Sequence, residues 1–319
     1  MHTDRRQRQP LLSAVIPFLN EEECIPSLIG ELDDNLSMLG IPFELVLVDD
    51  GSRDRSVAVA KVELKKRQKI TATIISLSRN FGKEAALTAG LEAANGDVIV
   101  PLDADLQDPP SVIKEMLAKW REGFDVVYAV RRKRAGESKT KRFTAYGFYR
   151  LMERLSQTGI PADTGDFRLM DRCVVDALLG LPERSRFMKG LFAWVGFRQT
   201  AVYYDRDPRK LGQTNWNYWK LWNFAIDGVT SFSRVPLQIW GYIGFIIASL
   251  AFGYGSWLVL RTLIFGIDIP GYASLITAVL FLGGIQLVGM GVLGEYIGRI
   301  FEETKARPLY ILRERWRQP

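Results

Sequence analysis

The sequence predicts an α/β domain with a mostly parallel, Rossmann-like sheet, followed by a pair of apolar helices long enough to cross a bilayer. Three observations predict it. Short apolar runs alternate with helical patterns through the first 130 residues, the pattern of strand–helix–strand units. Those runs end in polar or acidic residues, where an open parallel sheet carries its ligands. Residues 235–298 then lose almost all charge.

Taken in order, the strand candidates are Leu12–Phe18, Phe43–Val48, Ala72–Leu77, Val98–Leu102 and Asp125–Val130. Helical patterns fall near Glu22–Leu39, Arg53–Arg67, Lys83–Ala94 and Ser111–Trp120. From Arg131 to Arg234 the pattern is less regular. Lys141–Leu155 and Tyr218–Phe232 read as amphipathic helices mixing basic and aromatic residues, of the kind that lie in a membrane interface. Val235–Leu260 and Ile269–Gly294 are uncharged over 26 residues each, where a span needs roughly 20. The connector Arg261–Asp268 makes them a hairpin. The tail carries Arg299, Lys305, Arg307, Arg313, Arg315 and Arg317 against Arg261 alone in the connector, so the positive-inside rule puts both termini and the α/β domain on the cytoplasmic side of an inner (plasma) membrane. The expected division is a tail at 1–10, the catalytic domain at 11–215, an interfacial helix at 216–234, two spans at 235–298 and a basic cytoplasmic tail at 299–319.

Composition narrows the chemistry. The formal charge of +6 over 319 residues calls for an anionic partner. A phosphorylated substrate and a membrane surface both fit, but no aromatic-interleaved basic repeat or DNA-binding signature is present, which argues against nucleic acid. The single histidine, His2, stands in a charged N-terminal stretch, so histidine chemistry is excluded. That stretch has no apolar core and does not read as a secretory signal. Cys24 and Cys173 lack metal or disulfide spacing and suit a reducing compartment.

The chemistry-bearing residues sit at the strand ends. Asp103-Ala104-Asp105 follows Val98–Leu102; two acids two apart on extended chain point the same way and can share a hard cation, Mg²⁺ or Mn²⁺, with Gln107 as a further oxygen ligand. An isolated Asp-x-Asp is common and often a solvated turn; Asp108 and Pro109-Pro110 give this one its context. Asp49-Asp50-Gly51-Ser52 ends another strand, where a carboxylate can accept from a base or ribose, although a helix-capping turn also explains Gly51 and Ser52. Lys83, behind Asn80-Phe81-Gly82, is placed to meet phosphate at a helix N-terminus, or is an exposed lysine after a turn. Gly165-Asp166-Phe167-Arg168 reads as a surface ion pair on its own.

Taken together, these segments resemble the family-2 glycosyltransferases of the polyprenyl-phosphate type, the bactoprenol (undecaprenyl-phosphate) glucosyltransferases among them. The resemblance covers nearly the whole chain. It runs through Val15-Ile16-Pro17-Phe18-Leu19-Asn20-Glu21-Glu22, Val48-Asp49-Asp50-Gly51-Ser52, Asn80-Phe81-Gly82-Lys83-Glu84 and Asp103-Ala104-Asp105-Leu106-Gln107-Asp108-Pro109. It continues in Gly165-Asp166-Phe167-Arg168-Leu169, Arg186-Phe187-Met188-Lys189-Gly190, Asp227–Ser233 and Gly294-Glu295-Tyr296-Ile297-Gly298-Arg299.

The resemblance implies a GT-A catalytic domain and metal-dependent, inverting transfer of a hexose, glucose from UDP-glucose, to undecaprenyl or another polyprenyl phosphate. It implies a nucleotide-sugar site at Pro17, Leu19, Glu21, Asp49, Asp50, Lys83, Asp103 and Ala104, and a metal and diphosphate site at Asp103, Asp105 and Gln107. By the same resemblance Arg131, Arg142 and Arg168 meet the lipid phosphate, and Asp166, with Asp105, serves catalysis. A lipid phosphate is already an anionic nucleophile, so positioning matters more than a strong base. Partners implied are the nucleotide-sugar, the polyprenyl phosphate and the bilayer, with a homo-oligomer compatible. One departure stands out: relatives carry a lysine where Gly212-Gln213-Thr214-Asn215 has Asn215, leaving Arg206, Arg209 or Lys210 as substitutes. Alternatives are a GDP-mannose or aminoarabinose donor on the same fold, and an inactive membrane-anchored scaffold. A processive synthase is rejected, because Leu312 stands where the glutamine of its Gln-x-x-Arg-Trp motif belongs.

Overall fold

In the computed structural model, the apolar runs become the centre of one eight-stranded sheet. The structure describes residues 6, 8–131, 164–184, 186–205, 235–265 and 271–318. The strands are β1 (Leu12–Phe18), β2 (Phe43–Asp49), β3 (Thr71–Leu77), β4 (Val98–Pro101), β5 (Val126–Arg131), β6 (Thr164–Asp171), β7 (Gln199–Tyr204) and β8 (Leu312–Gln318). Their order is β7-β5-β6-β4-β1-β2-β3-β8. β1 pairs in parallel with β2 and β4, β2 with β3, and β5 with β7, whereas β6 runs antiparallel to both β4 and β5, and β8 antiparallel to β3.

β1, β2 and β3 are buried along nearly their whole length, as strands covered on both faces must be. One face is covered by α1 (Ile25–Ser37), α2 (Ser56–Lys66) and α4 (Ile113–Arg121), which bring Leu28, Leu32, Leu64, Met116 and Trp120 into a first core. The other is covered by α3 (Lys83–Ala93), α5 (Arg172–Leu179) and α6 (Met188–Trp194), through Leu87, Leu91, Val174, Leu178 and Phe192. The irregular middle of the sequence thus contains β6, α5, α6 and β7, none of which the apolar pattern announces. The predicted helix Lys141–Leu155, the interfacial helix at 216–234 and Asn215 lie outside the described residues.

The apolar region forms α7 (Val235–Phe265) and α8 (Tyr272–Lys305), of 31 and 34 residues. Each extends past the predicted uncharged stretch: α7 carries Arg261 inside it, and α8 runs on past Gly294. Their large side chains face outward, Phe252 at 79% and Leu287 at 70% exposure among them. Among the described residues, Phe281–Lys305 is long and apolar enough to cross a membrane. The helices touch where a methyl on Gly289 would come within 1.8 Å of Trp240 Nε1, so only glycine admits the indole there.

The stretch expected as a basic cytoplasmic tail, 299–319, has regular structure. It is helix to Lys305, then a strap, then the edge strand β8. Backbone pairing with β3 holds β8, together with Trp316 packed on the first core and Gln318 Nε2 donating at 3.0–3.1 Å to the carbonyls of Leu64, Arg67 and Ile70. Arg184 holds the end of α8 by its N–H on Glu303 (2.8 Å to Oε1) and the strap by its guanidinium on the Arg307 carbonyl (2.8 Å), and the Tyr310 hydroxyl donates to Glu92. Its arginines hid the strand from a hydrophobic pattern; charged residues are what an exposed edge strand carries.

Candidate active site

The strand order reverses direction at β1 and β4, and a crevice opens outside their carboxyl ends, where an open sheet binds ligands. Four loops meet there. Asn20, at the end of β1, donates its N–H to Ser52 Oγ (2.9 Å) and accepts the Arg53 N–H on Oδ1 (2.9 Å), stitching the first loop to the second. The Glu21 N–H donates to Ser56 Oγ at 2.8 Å. Pro17 and Leu19 line this edge, half-buried and exposed respectively.

Asp49 and Asp50 divide their tasks. Asp49 is fully buried; Oδ1 accepts the Ser52 N–H at 2.8 Å, and Oδ2 is buried without a partner. Asp50 accepts the N–H groups of Phe81 and Gly82 at 2.8 and 3.0 Å, so its two oxygens shape the loop that presents Lys83. Burial raises its pKa against those two bonds. Between them Gly51, at φ +77°, lies so close to the next loop that a Cβ would meet the Arg79 carbonyl carbon at 2.5 Å.

After β4 the chain turns rather than remaining extended. Even so, Asp103, Asp105, Gln107 and Pro109 are partly open, while Leu102, Ala104, Leu106 and Asp108 are buried. The predicted cation ligands therefore share the open side, and Ala104 is an inward spacer. Asp105 Oδ1 accepts the Gln107 N–H at 3.2 Å. Asp105 also lies near enough to Cys24 to help burial and Glu21 raise that thiol to about 11, which joins the first loop to this one.

Lys83 joins the halves of the cleft. It opens α3, and its Nζ stands 2.6 Å from Asp103 Oδ1 and 2.6 Å from Asp166 Oδ2. Asp166, expected from sequence alone as a surface ion pair, is mostly covered on β6, its side chain 15% exposed. Burial by itself would raise its pKa; the charge of Lys83, with Lys189 and Arg168 behind it, overrides this and brings it down to about 2. Burial likewise opposes the charge on Lys83, and Asp166 and Asp103 push its pKa above the ordinary lysine value.

Arg168 departs from its expected place at the lipid phosphate. It is 5% exposed, donates to the Gly165 carbonyl at 2.9 Å and stacks 3.8 Å over the Phe192 ring, while burial lowers its pKa to about 10. Its orientation follows from β6: residues two apart share a face, and below Asp166 that face is covered by α6. Arg131, at the end of β5, reaches the cleft; Nε donates to the Tyr204 hydroxyl at 3.2 Å, which in turn donates to Asp108, and Asp103 lies within charge range. Arg142 lies outside the described residues.

Three participants escaped the sequence reading. Glu84 follows Lys83; burial, with Asp166 beside it, pushes its carboxyl up to about 8 against the opposing Lys83, Lys189 and Met188 N–H. Lys189, second residue of α6, acts on both acids. Tyr204 ends β7. The first two follow the loops that open α3 and α6, but their meeting depends on the first turns of those helices coming together, where the Met188 N–H reaches Glu84, which spacing does not reveal.

The donor set suits a hard divalent cation. An ammonium already stands on Asp103, so the position attracts positive charge. Among the described residues no group of three or more His, Cys, Asp and Glu side chains converges. The chain thus offers two carboxylates here, a set that would suit a Mg²⁺-type ion taking its other ligands from elsewhere.

Comparison with known proteins agrees in fold and sequence. The family model for Glycosyl transferase family 2 matches residues 13–179, and that for the GtrB C-terminal hairpin matches 235–300. An uncharacterized glycosyltransferase of Synechocystis is 55% identical over 96% of this chain and 95% of its own. A prophage bactoprenol glucosyl transferase homolog of Escherichia coli is 47% identical over 95% and 98%. Among solved structures, the mannosyltransferase PcManGT of Pyrobaculum calidifontis, in complex with GDP-Man and Mn²⁺, superposes with TM-score 0.51 at 17% identity, over 95% of this chain and 86% of that one. That likeness concerns the GT-A fold.

Proposed function

We propose, on the premise that the chain belongs to glycosyl transferase family 2 and is a hexosyltransferase, that it moves glucose from UDP-glucose to undecaprenyl or a similar polyprenyl phosphate with inversion, aided by Mg²⁺ or Mn²⁺. The observation that carries this reading is the Lys83 bridge, which brings Asp103, the first acid after β4, within one ammonium of Asp166.

In this reading Pro17, Leu19, Glu21 and Asp49 face the nucleotide, and the unpartnered Asp49 oxygen takes a base or ribose donor. Asp103, Asp105 and Gln107 hold the cation, which offsets the charge of the departing diphosphate when bound. Arg131, braced by Tyr204 and Asp108, meets the acceptor phosphate, with Arg142 as a further candidate. A phosphate oxygen attacks the anomeric carbon, the bond from that carbon to the diphosphate breaks, and its electron pair leaves with UDP. The acceptor is already ionised, and Asp166, ionised as well, orients Lys83 and the approaching groups rather than removing a proton. Arg168 holds the backbone of Asp166 through Gly165.

The hairpin keeps the enzyme beside its lipid. Since β8 belongs to the same sheet as β1–β7, the chain leaves and rejoins one body, which favours two crossings with the domain and both termini in the cytoplasm.

The test offers the full-length protein undecaprenyl phosphate and several radiolabelled nucleotide-sugars, with and without Mn²⁺ or Mg²⁺. Labelled lipid from UDP-glucose that requires the metal, and that Asp105→Asn abolishes, is the expected result. Equal rates in EDTA, or label released only to water, would overturn the proposal.

A further inference from the structure

Lys83 stands where the proposed reaction needs a different cation. Its ammonium bridges Asp103 and Asp166 at hydrogen-bonding distance from both, yet the side chain is 46% exposed and rises from the first residue of α3. Four side-chain torsions separate that amine from a backbone fixed by Asp50 through Phe81 and Gly82. The base of the side chain is therefore rigid, and its tip can move without disturbing the fold.

The charges say what would move it. Asp103 and Asp166 place two carboxylates on this ammonium, and Lys83 is the cation in contact with both. A divalent ion arriving alone at Asp103 must displace an ammonium bound at 2.6 Å, or share the acid with it at the cost of like-charge repulsion. It would find too few oxygens to replace its water, because the described acids form no cluster of three. A nucleoside diphosphate changes both conditions: it supplies the missing oxygens and gives the released ammonium a new anionic partner at a helix N-terminus.

We infer that Lys83 is an exchangeable counter-ion, holding Asp103 while the donor is absent and passing to the diphosphate when donor and divalent cation arrive together. Metal uptake is thereby coupled to nucleotide uptake. Asp166 keeps the neighbouring charges of Lys189 and Arg168 throughout, so it stays ionised through the exchange. The inference rests on the donor and cation roles proposed above.

Direct binding tests it without turnover. Mn²⁺ binding to the full-length protein in detergent is followed by electron paramagnetic resonance, with and without UDP. Wild type should bind Mn²⁺ weakly alone and much more tightly with UDP. Lys83→Met should bind Mn²⁺ alone on the order of tenfold more tightly than wild type, the effect of deleting one like charge beside the ion, and should bind UDP–Mn²⁺ less tightly. Lys83→Arg keeps the charge and should retain the weak metal-only affinity. Unchanged or weaker Mn²⁺ binding in Lys83→Met, while wild type still binds Mn²⁺ with UDP, overturns the exchange and leaves the proposed reaction standing. Equal tightening in Lys83→Arg also overturns it, since charge would not be the cause. Wild type that takes no Mn²⁺ even with UDP overturns the metal-dependent reaction and the exchange together.

Discussion

The two sides of the cleft are built from different materials. The side formed by the loops after β1, β2 and β3 is held by short bonds between side chains and backbone: Asn20 to Ser52 and Arg53, Asp49 to Ser52, Asp50 to Phe81 and Gly82. Few torsions remain free there, as suits the surface proposed to receive the rigid base and ribose of a nucleotide. The side formed by β5, β6 and β7 presents long or charged side chains instead: Arg131, Asp166 and Tyr204, with Arg168 behind them. The parallel side derives its shape from backbone, the antiparallel side its field from charge, and Lys83 connects them. Damage to the first should therefore register as folding and donor affinity, and damage to the second as rate.

The largest expected effect is on rate. Asp166→Asn keeps the shape of β6 but removes the anion that holds Lys83, and should lower kcat on the order of a thousandfold, about 4 kcal/mol of barrier. UDP affinity, measured by calorimetry, should stay within about threefold of wild type. A parallel collapse of UDP binding would break the division between the two sides.

Next is a change on the backbone-built side. Gly51→Ala adds a Cβ at φ +77°, 2.5 Å from the Arg79 carbonyl carbon. It should cost about 2–4 kcal/mol of stability and weaken UDP binding in whatever protein still folds. Thermal unfolding of the full-length protein reads the first effect and UDP titration the second. A loss of rate with normal stability and UDP affinity would contradict the comparison.

Smaller again is the effect at the edge strand. Trp316 is half-buried against the first core, so Trp316→Ala should cost about 1–2 kcal/mol, less than a fully buried tryptophan. UDP affinity should hold, since β8 lies across β3 from the cleft. A selective loss of activity in a normally stable protein would mean that the edge strand governs the site.

The same contrast explains what the sequence discloses. β1–β4 and α1–α4 fall within a few residues of their expected positions, because strands buried on both faces and helices with one apolar stripe carry their environment in their composition. The acids at their ends follow from topology. β6 escapes because Asp166 and Arg168 interrupt its apolar run, and β8 because nearly every side chain on it is polar and backbone pairing holds it. Burial of Arg168 depends on the Phe192 ring, 24 positions later, and the Lys83–Asp166 contact joins residues 83 apart. Periodicity reports a residue's solvent environment and not its distant partners, so the charge-built side of the cleft could be reached only by resemblance, which left Glu84 and Lys189 without roles.

Glu84 sharpens the comparison most finely, because it lies beneath both sides and its charge changes near neutral pH. Its folded-state pKa of about 8 lies above the 4.5 of an ordinary glutamate. The folded state therefore holds a proton that the unfolded chain gives up, and stability declines as pH rises from about 4.5 to about 8. Asp166 has the opposite sign: with a pKa of about 2 against 3.8, its contribution is present above about pH 4 and is lost only on acidification towards 2. Over pH 5–9 Asp166 is constant, so of these two acids only Glu84 contributes to the slope. Glu84→Gln keeps an acceptor for the Met188 N–H without the charge, so its stability relative to wild type should rise with pH up to about 8 and level above it. Thermal unfolding of both proteins across that range measures the difference. A difference that stays flat would mean that Lys83 and Lys189 already neutralise Glu84, and that the two sides share one charge network.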